Sequence, residues 1–436
     1  MRSEIVIVGG GAGGLELACK LGRKLGPGKV MLVDSRLYHV WKPSLHEVAA
    51  GTLDIHQEGL SYQMLAHDRG FTFVYGEMTG LDAGARRIEV AAVHAPNDGE
   101  EVLPARSVEY GSLVISVGST SNYFGVPGAR ENTISLNATE DAERFRLRLL
   151  RLLAQAEREK ESGGADARTG LDIVIIGGGA TGVELAAELR EASGVYAAYG
   201  FNRLQVQRDV RITLLEGAPR ILAPLPERVS AAALRLLDQR AIRVVTDCRV
   251  TTIEKHQVLD KDGHVYPADL CVWAAGIRAP EFLSELGLPT NKGGQIEVDG
   301  HLRVKGVPNV YAIGDCAACI DGHGKPVPPR AQAAHQQADY LMKTFMNMAS
   351  AYPPQKNPYT YRDYGSLVSI GHQTTVGSLM GSLRGASWFV EGFMARIMYL
   401  SLHLMHHKAI MGSVRTGVMA VARFLIRRTT PLVKLH

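Results

Sequence analysis

Two glycine-rich segments, each directly after a run of apolar residues, constrain the fold more than any other feature of the sequence. In residues 5–14 the run Ile-Val-Ile-Val leads into Gly-Gly-Gly-Ala-Gly-Gly, and in residues 171–182 an apolar run leads into Gly-Gly-Gly-Ala-Thr-Gly. A helical pattern follows each segment, and the next strand ends in an acid, first Asp34 and then Glu216. This order predicts a βαβ unit that binds a dinucleotide. Two units predict an α/β protein with two Rossmann-like dinucleotide-binding domains.

Three glycines in each motif have separate roles in such a unit. One allows the tight turn after the strand, one lets the backbone approach a pyrophosphate, and one permits close packing of helix against strand. In order, they are Gly9, Gly11 and Gly14 in the first motif and Gly177, Gly179 and Gly182 in the second. Asp34 is predicted to accept hydrogen bonds from a ribose. Glu216 favours the free 2′-hydroxyl of NADH over the 2′-phosphate of NADPH, a preference that the nearby Arg220 weakens.

A late strand indicates which dinucleotide each unit takes. Residues 309–313 read as a strand that ends in Gly314 and Asp315. The chain resembles flavoproteins with two dinucleotide-binding units, in which such an aspartate reaches the ribitol of the flavin. The first unit is therefore predicted to bind FAD and the second to bind NADH. Ser119 and Gly276, which follow two further apolar runs, are predicted to line the two cofactors.

The order of these segments predicts a discontinuous flavin domain. We expect the FAD-binding domain to comprise residues 1–138 and 295–345, with an NADH-binding domain inserted at 139–294. Residues 346–436 then form a separate C-terminal region.

Charge and hydropathy narrow the choice of partners. The chain has 48 Lys and Arg against 44 Asp and Glu, a net charge of +4 that does not indicate nucleic acid. Residues 386–436 hold seven basic residues and one acid, so this stretch carries +6 and the remainder −2. A basic tail on a near-neutral body predicts contact with an anionic membrane surface. Without a signal peptide or a spanning apolar stretch, we expect a peripheral protein on the cytoplasmic face of the inner membrane.

The same C-terminal stretch contains two helical patterns of apolar residues. The first consists of Val390, Met394, Ile397, Leu404 and Met405, opposite Arg396, His403 and His407. The second consists of Val414, Val418, Val421 and Leu425, opposite Arg423 and Arg427, with Arg428 and Lys434 following. Such amphipathic basic helices suit a membrane interface. Helices that join two chains into a homodimer, or that pack on the core, would show the same pattern.

Residues 331–336, Ala-Gln-Ala-Ala-His-Gln, carry the most specific resemblance. They follow Pro-Pro-Arg, a good helix start, and place Gln332 and Gln336 on one helix face. With the glycine motifs, Trp-Lys-Pro at 41–43 and segment 361–369, they resemble type II, non-proton-pumping NADH:quinone oxidoreductases of the proteobacterial branch. The resemblance implies hydride transfer from NADH to FAD and then transfer of two electrons to a membrane quinone.

The resemblance also implies roles for individual residues. Gln332 and Gln336 would border the quinone headgroup, and Lys42 would lie near the flavin. Glu184 would lie near the flavin and the nicotinamide and take part in quinone reduction or proton delivery. The alternative for Glu184 is an acid favoured by the helix dipole. For His335, a proton relay competes with the commoner exposed helix histidine.

Cysteine usage bears on the alternative reactions. A sulfide:quinone oxidoreductase or a disulfide reductase needs a redox pair, and residues 39–51 contain no cysteine. Cys316 and Cys319 form a CxxC pair that lacks two ligands for zinc, so no metal site is predicted. Packing beside the flavin is the favoured interpretation of this pair, and copper or redox chemistry is the alternative. A flavoprotein that senses NADH with little turnover is the remaining rival function.

Overall fold

The computed structural model describes residues 1–162, 170–371, 374–380, 387–426 and 433–434. The first part of the chain is rich in strands. Its strands are β1 (Arg2–Val8), β2 (Val30–Asp34), β3 (Tyr38–His39), β4 (Leu60–Ser61), β5 (Thr72–Tyr75), β6 (Met78–Asp82), β7 (Arg87–Val90), β8 (Val93–His94), β9 (Glu101–Leu103), β10 (Arg106–Ile115) and β11 (Thr120–Ser121). Its helices are α1 (Ala12–Leu25), α2 (Leu45–Ala50), α3 (Ile55–Glu58), α4 (Tyr62–Arg69) and α5 (Ala129–Asn132).

The middle part alternates strands and longer helices. Its strands are β12 (Ile134–Ser135), β13 (Leu171–Ile176), β14 (Val210–Leu215), β15 (Ile242–Val245), β16 (Val250–Glu254), β17 (Gln257–Asp260), β18 (Val265–Pro267), β19 (Leu270–Trp273) and β20 (Ile277–Arg278). Its helices are α6 (Thr139–Ser162), α7 (Ala180–Gly200), α8 (Val206–Asp209) and α9 (Glu227–Asp238).

The last part returns to the first sheet and then forms the C-terminal region. Its strands are β21 (Ile296–Glu297), β22 (Val310–Ala312), β23 (Ala317–Ala318), β24 (Gly365–Ser369), β25 (Thr375–Met380) and β26 (Ser387–Glu391). Its helices are α10 (Ala331–Ala349), α11 (Phe393–Met411) and α12 (Ser413–Ile426). Single 3-10 turns occupy Lys42–Ser44, Glu281–Glu285 and Gly314–Cys316.

The first sheet is parallel where the predicted flavin site lies. Its parallel strands follow the order β5-β2-β1-β10-β22, and β7 and β6 extend it in antiparallel fashion. The long strand β10 pairs with β7 through its first half and with β22 through its second half. The carboxyl ends of β1, β2, β10 and β22 therefore meet at one edge, the usual position of a ligand in an open α/β sheet.

The second sheet is wholly parallel, in the order β12-β19-β13-β14-β15. Helices cover it, and its apolar strands are buried, as continuous runs of Val, Ile and Leu require. The two Rossmann-like sheets that the glycine motifs predict are thus both present. An antiparallel meander, β16-β17-β18, is attached to this half.

Short strands mark where the chain passes between the two halves. Strand β11 pairs antiparallel with β20, so the outgoing and returning segments run side by side. Strand β12 already pairs within the second sheet, whereas Leu283 and Leu286 pack in the core of the first. We propose crossover points near residues 121 and 277, which refine the boundaries of 138/139 and 294/295 predicted from the sequence.

The C-terminal region is a three-stranded antiparallel sheet, β24-β25-β26, followed by two helices. Helix α11 packs against α1 and against this sheet, and it buries His406, His407 and Ile410. The second apolar stripe, Val414, Val418, Val421 and Leu425, is 58–81% exposed on α12. Arg427 and Arg428 lie outside the described residues, as do the side chains of Met394 and Arg396. None of the described helices combines the length and apolar character that crossing a membrane would require.

Candidate active site

The first glycine loop has two packed glycines and one that faces open space. Gly9 has φ +99°, and a Cβ there would lie 2.4 Å from the Ser116 carbonyl oxygen. A Cβ on Gly14 would lie 2.0 Å from the Gly9 carbonyl oxygen, so α1 touches the strand end directly. Around Gly11 the nearest atom is 4.0 Å away. Space therefore remains before the N-terminus of α1, where free N–H groups suit the pyrophosphate of a dinucleotide.

The second glycine loop repeats this geometry in the other sheet. Gly177 has φ +112°, and a Cβ there would lie 2.7 Å from the Ala274 carbonyl. A Cβ on Gly182 would lie 1.9 Å from the Gly177 carbonyl oxygen, while no atom lies within 4 Å of a Cβ on Gly179. The chain thus contains two cradles of the same construction, each able to receive one dinucleotide.

An acid fastens each loop to the end of the neighbouring strand. The Gly10 N–H donates to Asp34 Oδ2 over 2.6 Å, and the Gly178 N–H donates to Glu216 Oε2 over 2.5 Å. The other carboxylate oxygens accept from the N–H groups of Arg36 and Ala218. Burial raises the pKa of Asp34 against the opposing effect of its two N–H donors. Both acids stand beside their glycine loops, where the ribose hydroxyls of a dinucleotide would lie.

Arg220 is the residue that the sequence suggested as a partner for a 2′-phosphate. In the structure its guanidinium forms hydrogen bonds within its own loop. Its Nη1 donates to the Leu225 carbonyl over 2.9 Å and to Ser230 Oγ over 2.5 Å. Its Nη2 donates to the Ala223 carbonyl over 2.6 Å. Binding a phosphate through Arg220 would break these bonds, and the preference for NADH at Glu216 stays a prediction.

Three residues from distant parts of the chain meet at the edge of the first sheet. Ser119 Oγ donates to Asp315 Oδ2 over 2.7 Å, and Lys42 Nζ donates to the Ser119 carbonyl over 2.9 Å. Burial lowers the pKa of Lys42, and the Asp315 carboxylate offsets part of this effect. Gly314, at φ +74°, turns the chain so that Asp315 reaches this position. The set places a cation and a carboxylate acceptor together at this sheet edge.

A buried glutamine that the sequence motif did not include holds this turn. Gln337 is 1% exposed, and its Oε1 accepts the Gly314 N–H over 2.7 Å. It directly follows Gln336, but its helical position faces the core rather than the segment that binds Gln332 and Gln336. The burial of this one amide on α10 was not visible in the sequence.

In the second sheet, Gly276 follows β19 at the place that Gly118 occupies after β10. Its φ is +68°, and a Cβ there would lie 2.5 Å from the ring of Phe124. Phe124 itself is 64% exposed. The ring therefore covers Gly276 from the solvent side, close to the second glycine loop.

Glu184, on α7 just after the second glycine loop, is a buried acid. It is 7% exposed, its Oε1 accepts the Ser369 N–H over 3.0 Å, and its Oε2 lies 3.7 Å from His46 Nδ1. Burial raises the pKa of Glu184 to about 7, against the lowering effect of His46. A buried carboxyl with this pKa can exchange a proton at neutral pH. This environment differs from that of a solvated acid at a helix start.

The two glutamines of the α10 motif bind the backbone of residues 362–365. Gln336 donates to the Arg362 carbonyl over 2.8 Å and accepts the Arg362 N–H over 2.9 Å. Gln332 donates to the Gly365 carbonyl over 3.1 Å and accepts the Tyr364 N–H over 3.2 Å. Both amides lie on one helix face, as predicted. In this structure that face holds the start of the C-terminal sheet.

Comparison with known proteins identifies the family. A family model described as pyridine nucleotide-disulphide oxidoreductase matches residues 3–338. The type II NADH:quinone oxidoreductase of Haemophilus influenzae is 37% identical over 446 residues, which cover 99% of this chain and 100% of that protein. The chain belongs to the type II NADH:quinone oxidoreductases. The enzyme of that name from Mycobacterium tuberculosis is 27% identical, over 98% of this chain and 89% of the relative.

Solved structures of other proteins have the same fold as this chain. NDH2 from Plasmodium falciparum in complex with NADH superposes with a TM-score of 0.80 at 18% identity and covers 100% of both chains. The sulfide:quinone oxidoreductase of Aquifex aeolicus gives a TM-score of 0.72 at 18% identity, over 94% of this chain and 92% of the other. At these identities the likeness concerns the fold alone.

A cluster of histidines connects the first glycine loop of this type II family member to α11. His39 Nδ1 lies 2.9 Å from the Gly10 carbonyl oxygen, and its Nε2 lies 2.8 Å from His406 Nε2. Burial lowers the pKa of His39 to about 4 and that of His406 well below its usual value. His335 binds Glu16 on α1. His335 is therefore a partly buried, paired residue rather than an exposed helix histidine, and the sequence did not predict that His39 and His406 would meet it.

Cys316 and Cys319 pack inside the core around the first sheet. Both are buried, and burial raises the pKa of each thiol to about 12. Cys316 Sγ lies 3.2 Å from the Ile313 carbonyl oxygen. Neutral thiols in this setting act as small core residues, which favours the packing interpretation over a redox role.

Proposed function

We propose that this protein oxidises NADH and reduces a membrane quinone with a bound FAD, without pumping protons. Its membership of the type II family supports the reaction. The structural observation that carries the proposal is the repeated loop-to-acid bond, from Gly10 to Asp34 and from Gly178 to Glu216. Two such cradles in one chain suit one bound dinucleotide and one dinucleotide substrate. FAD, when bound, accepts a hydride and passes on electrons in pairs or singly.

The first cradle is proposed as the FAD site. The open space at Gly11 would receive the pyrophosphate, and Asp34 would accept a hydrogen bond from the ribose of the adenosine. Lys42, Ser119 and Asp315 would hold the flavin end, because they form one hydrogen-bonded set at the same sheet edge. These residues orient the cofactor, and the sheet edge to which they belong is rigid.

The second cradle is proposed as the NADH site. Glu216 would accept hydrogen bonds from the free ribose hydroxyls, and the N-terminus of α7 would face the pyrophosphate across Gly179. A 2′-phosphate would meet the Glu216 carboxylate with no free cation from Arg220 to offset it. The site therefore selects NADH over NADPH by charge.

Quinone reduction is proposed on the side of α10 and the C-terminal sheet. The side chains of Gln332 and Gln336 form hydrogen bonds with the backbone of residues 362–365. The Glu184 carboxylate accepts a hydrogen bond from Ser369, four residues further along the same segment. Glu184 would supply a proton to the reduced quinone, because its pKa of about 7 lets it hold and release one at neutral pH.

Attachment to the membrane surface is proposed through α11 and α12. Side chains such as Met405, Val414 and Val418 are 64–81% exposed, an unusual apolar surface for a soluble protein. The basic stretch would favour the anionic cytoplasmic face of the inner membrane. Pairing of two chains through the same helices is the competing use. Flotation of the protein with lipid vesicles would support attachment to the membrane. A dimer that persists in solution without detergent would support pairing of two chains.

Anaerobic stopped-flow absorbance of the FAD-loaded protein tests the reaction. Mixing with NADH should bleach the flavin band near about 450 nm, and a short-chain ubiquinone should restore it rapidly. NADPH should bleach it far more slowly. Recovery with a disulfide but not with quinone would overturn the proposed acceptor.

Two rivals have less support. Sulfide as donor requires reactive cysteines, and all five cysteines are buried and free. An NADH sensor with little turnover would be bleached by NADH but reoxidised slowly by every quinone tested. The same stopped-flow experiment, repeated with sulfide in place of NADH, therefore separates all three functions.

A further inference from the structure

A basic cavity lies where α11 ends beside α1 and α4, away from the proposed active site. Its volume is about 340 Å³. Four of its lining residues are cationic: Lys20, Arg23, Arg69 and Lys408. Met405 and Gly412 complete the side that faces the C-terminal helices. Neither the proposed reaction nor its cofactors use this cavity.

The positive charge of the cavity is largely uncompensated. Lys20 binds Glu16 and also Asp339, over 2.5 Å to the latter. In the part of the chain that the structure describes, no carboxylate lies within 4.0 Å of the charged nitrogens of Arg23, Arg69 or Lys408. The Arg69 Nε is also buried without a hydrogen-bond partner among the described atoms. A buried guanidinium N–H without an acceptor is unfavourable, so an anion at this position would stabilise the site.

Exposed apolar side chains border the cavity. Gly412, at φ +83°, turns the chain from α11 into α12. Met405 is 64% exposed on one side of this turn, and Val414 and Val418 are 81% and 67% exposed on the other. The nearby Asp68 is already paired with Arg415. An anion held in the cavity would therefore lie beside an apolar surface.

We propose that this cavity binds the phosphate group of one anionic phospholipid, whose acyl chains lie along the exposed stripe of α12. Arginine donors match a phosphate geometrically, and basic pockets beside membrane helices recognise such headgroups. The inference rests on the proposed membrane attachment and adds a defined lipid to it. A bound lipid would fasten the turn between α11 and α12 to α1 and α4, and so set how α11 and its histidines lie against the flavin half.

Native mass spectrometry of the FAD-loaded protein, extracted in mild detergent with phosphatidylglycerol, tests this assignment. Lipids that are held only by weak attraction to a charged protein surface are lost during detergent extraction. A lipid bound in a specific site stays with the protein. We expect one phosphatidylglycerol per chain. The double variant Arg69→Gln/Lys408→Gln should retain at least about tenfold less, since each lost cation weakens headgroup binding several-fold. The matched control Arg148→Gln/Arg151→Gln removes the same charge from exposed positions on α6 and should retain the lipid.

Three outcomes would overturn the inference. Equal lipid retention by the double variant and the control would show that the cavity is not the site. Loss of the lipid on adding millimolar inorganic phosphate or glycerol 3-phosphate would identify a soluble phosphate ligand. Retention of zwitterionic phosphatidylcholine in equal amount would show that the cavity does not select a lipid with net negative charge. FAD content and NADH oxidation with a soluble quinone serve as the check that both double variants fold.

Vesicle sedimentation distinguishes this inference from the proposed membrane attachment. If the parent binds neutral and anionic vesicles equally well, the attachment stands and the lipid site is wrong. If the parent binds no vesicles of either kind, the attachment itself is wrong, and the lipid site is wrong with it.

Discussion

The Ser369 N–H donates to Glu184 Oε1 over 3.0 Å, and this bond joins helix α7 of the second sheet to the C-terminal sheet. The carboxyl is buried beside His46, and burial raises its pKa to about 7. A proton-exchanging acid thus lies at the junction between the proposed hydride site and the segment that Gln332 and Gln336 hold.

The variant Glu184→Gln should separate flavin reduction from quinone reduction. The amide can still accept the Ser369 N–H, but it cannot release a proton. We expect flavin bleaching by NADH to be unchanged and reoxidation by quinone to slow by about 10²-fold, the usual contribution of a general acid. The pH dependence of reoxidation near pH 7 should also disappear. Equal slowing of both half-reactions, measured by stopped-flow absorbance, would contradict this role.

The same variant should change how stability depends on pH. Because the folded-state pKa of Glu184 is raised from its ordinary 4.5 to about 7, the folded protein binds the extra proton between these values. The parent therefore loses stability as the pH rises through this window, by about 3 kcal/mol in total. Glu184→Gln should melt close to the parent at pH 5 and above it at pH 8, as followed by the fluorescence of released flavin. An equal difference at both pH values would argue against a buried, titrating carboxyl.

Two glycines on α7 form a matched pair for testing the second cradle. A Cβ on Gly182 would lie 1.9 Å from the Gly177 carbonyl oxygen, whereas a Cβ on Gly194 would meet no atom within 4 Å. Gly182→Ala should push the helix off the strand, abolish NADH binding and destabilise the protein. Gly194→Ala should keep NADH binding and stabilise α7 by roughly 0.5–1 kcal/mol, since glycine is a poor helix former. Isothermal titration with NADH and thermal unfolding measure both effects.

Replacing Glu216 by glutamine should weaken the preference for NADH. A hydrogen bond to a charged acceptor contributes roughly 1.5–3 kcal/mol, so kcat/KM for NADH should fall about 10- to 100-fold. The ratio of NADH to NADPH rates should fall as well, because the repulsive charge is gone. Glu227→Gln, an exposed acid on α9, is the control and should leave both rates unchanged. If the ratio of NADH to NADPH rates were the same in Glu216→Gln and the parent, Glu216 would not contact the ribose of the coenzyme.

Removing the Ser119 hydroxyl should weaken FAD retention. Ser119→Ala deletes the donor to Asp315 but keeps the backbone carbonyl that binds Lys42. The loss of one hydrogen bond to a carboxylate predicts about a tenfold rise in the dissociation constant for FAD, measured by fluorescence titration of the apoprotein. Ser284→Ala, at an exposed position of the Glu281–Glu285 turn, should bind FAD as the parent does. Equal affinities in both variants would remove Ser119 from the flavin site.

Local patterns in the sequence predicted the two cradles. Glycines at fixed spacing after an apolar run have few other structural roles. All three roles belong to one short loop, so the pattern can be recognised within a few residues. The repeat therefore indicated two Rossmann-like sheets and the positions of Asp34 and Glu216. The α10 motif likewise predicted a shared face for Gln332 and Gln336, because helical spacing alone determines it.

The contacts between residues that lie far apart along the chain could not be predicted from the sequence. Nothing in the spacing showed that His39 would meet His406, or that Gln337 rather than its neighbours would hold Gly314. The occupation of Arg220 by its own loop was also hidden, since the sequence shows only that an arginine follows the acid. In each case the partner is chosen by packing, which depends on the whole core.

Residue types at short, fixed spacings were enough to predict the two dinucleotide cradles, their order along the chain and the family. Which side chains share an environment became visible only in the folded protein. Burial raised the pKa of Glu184 to about 7, close to His46 and Ser369, and left the Arg69 Nε, beside α11, without a hydrogen-bond partner among the described atoms. Proton affinity and unmet hydrogen bonds depend on solvent exclusion and on neighbours brought together by the fold, and neither is encoded in any short stretch of residues.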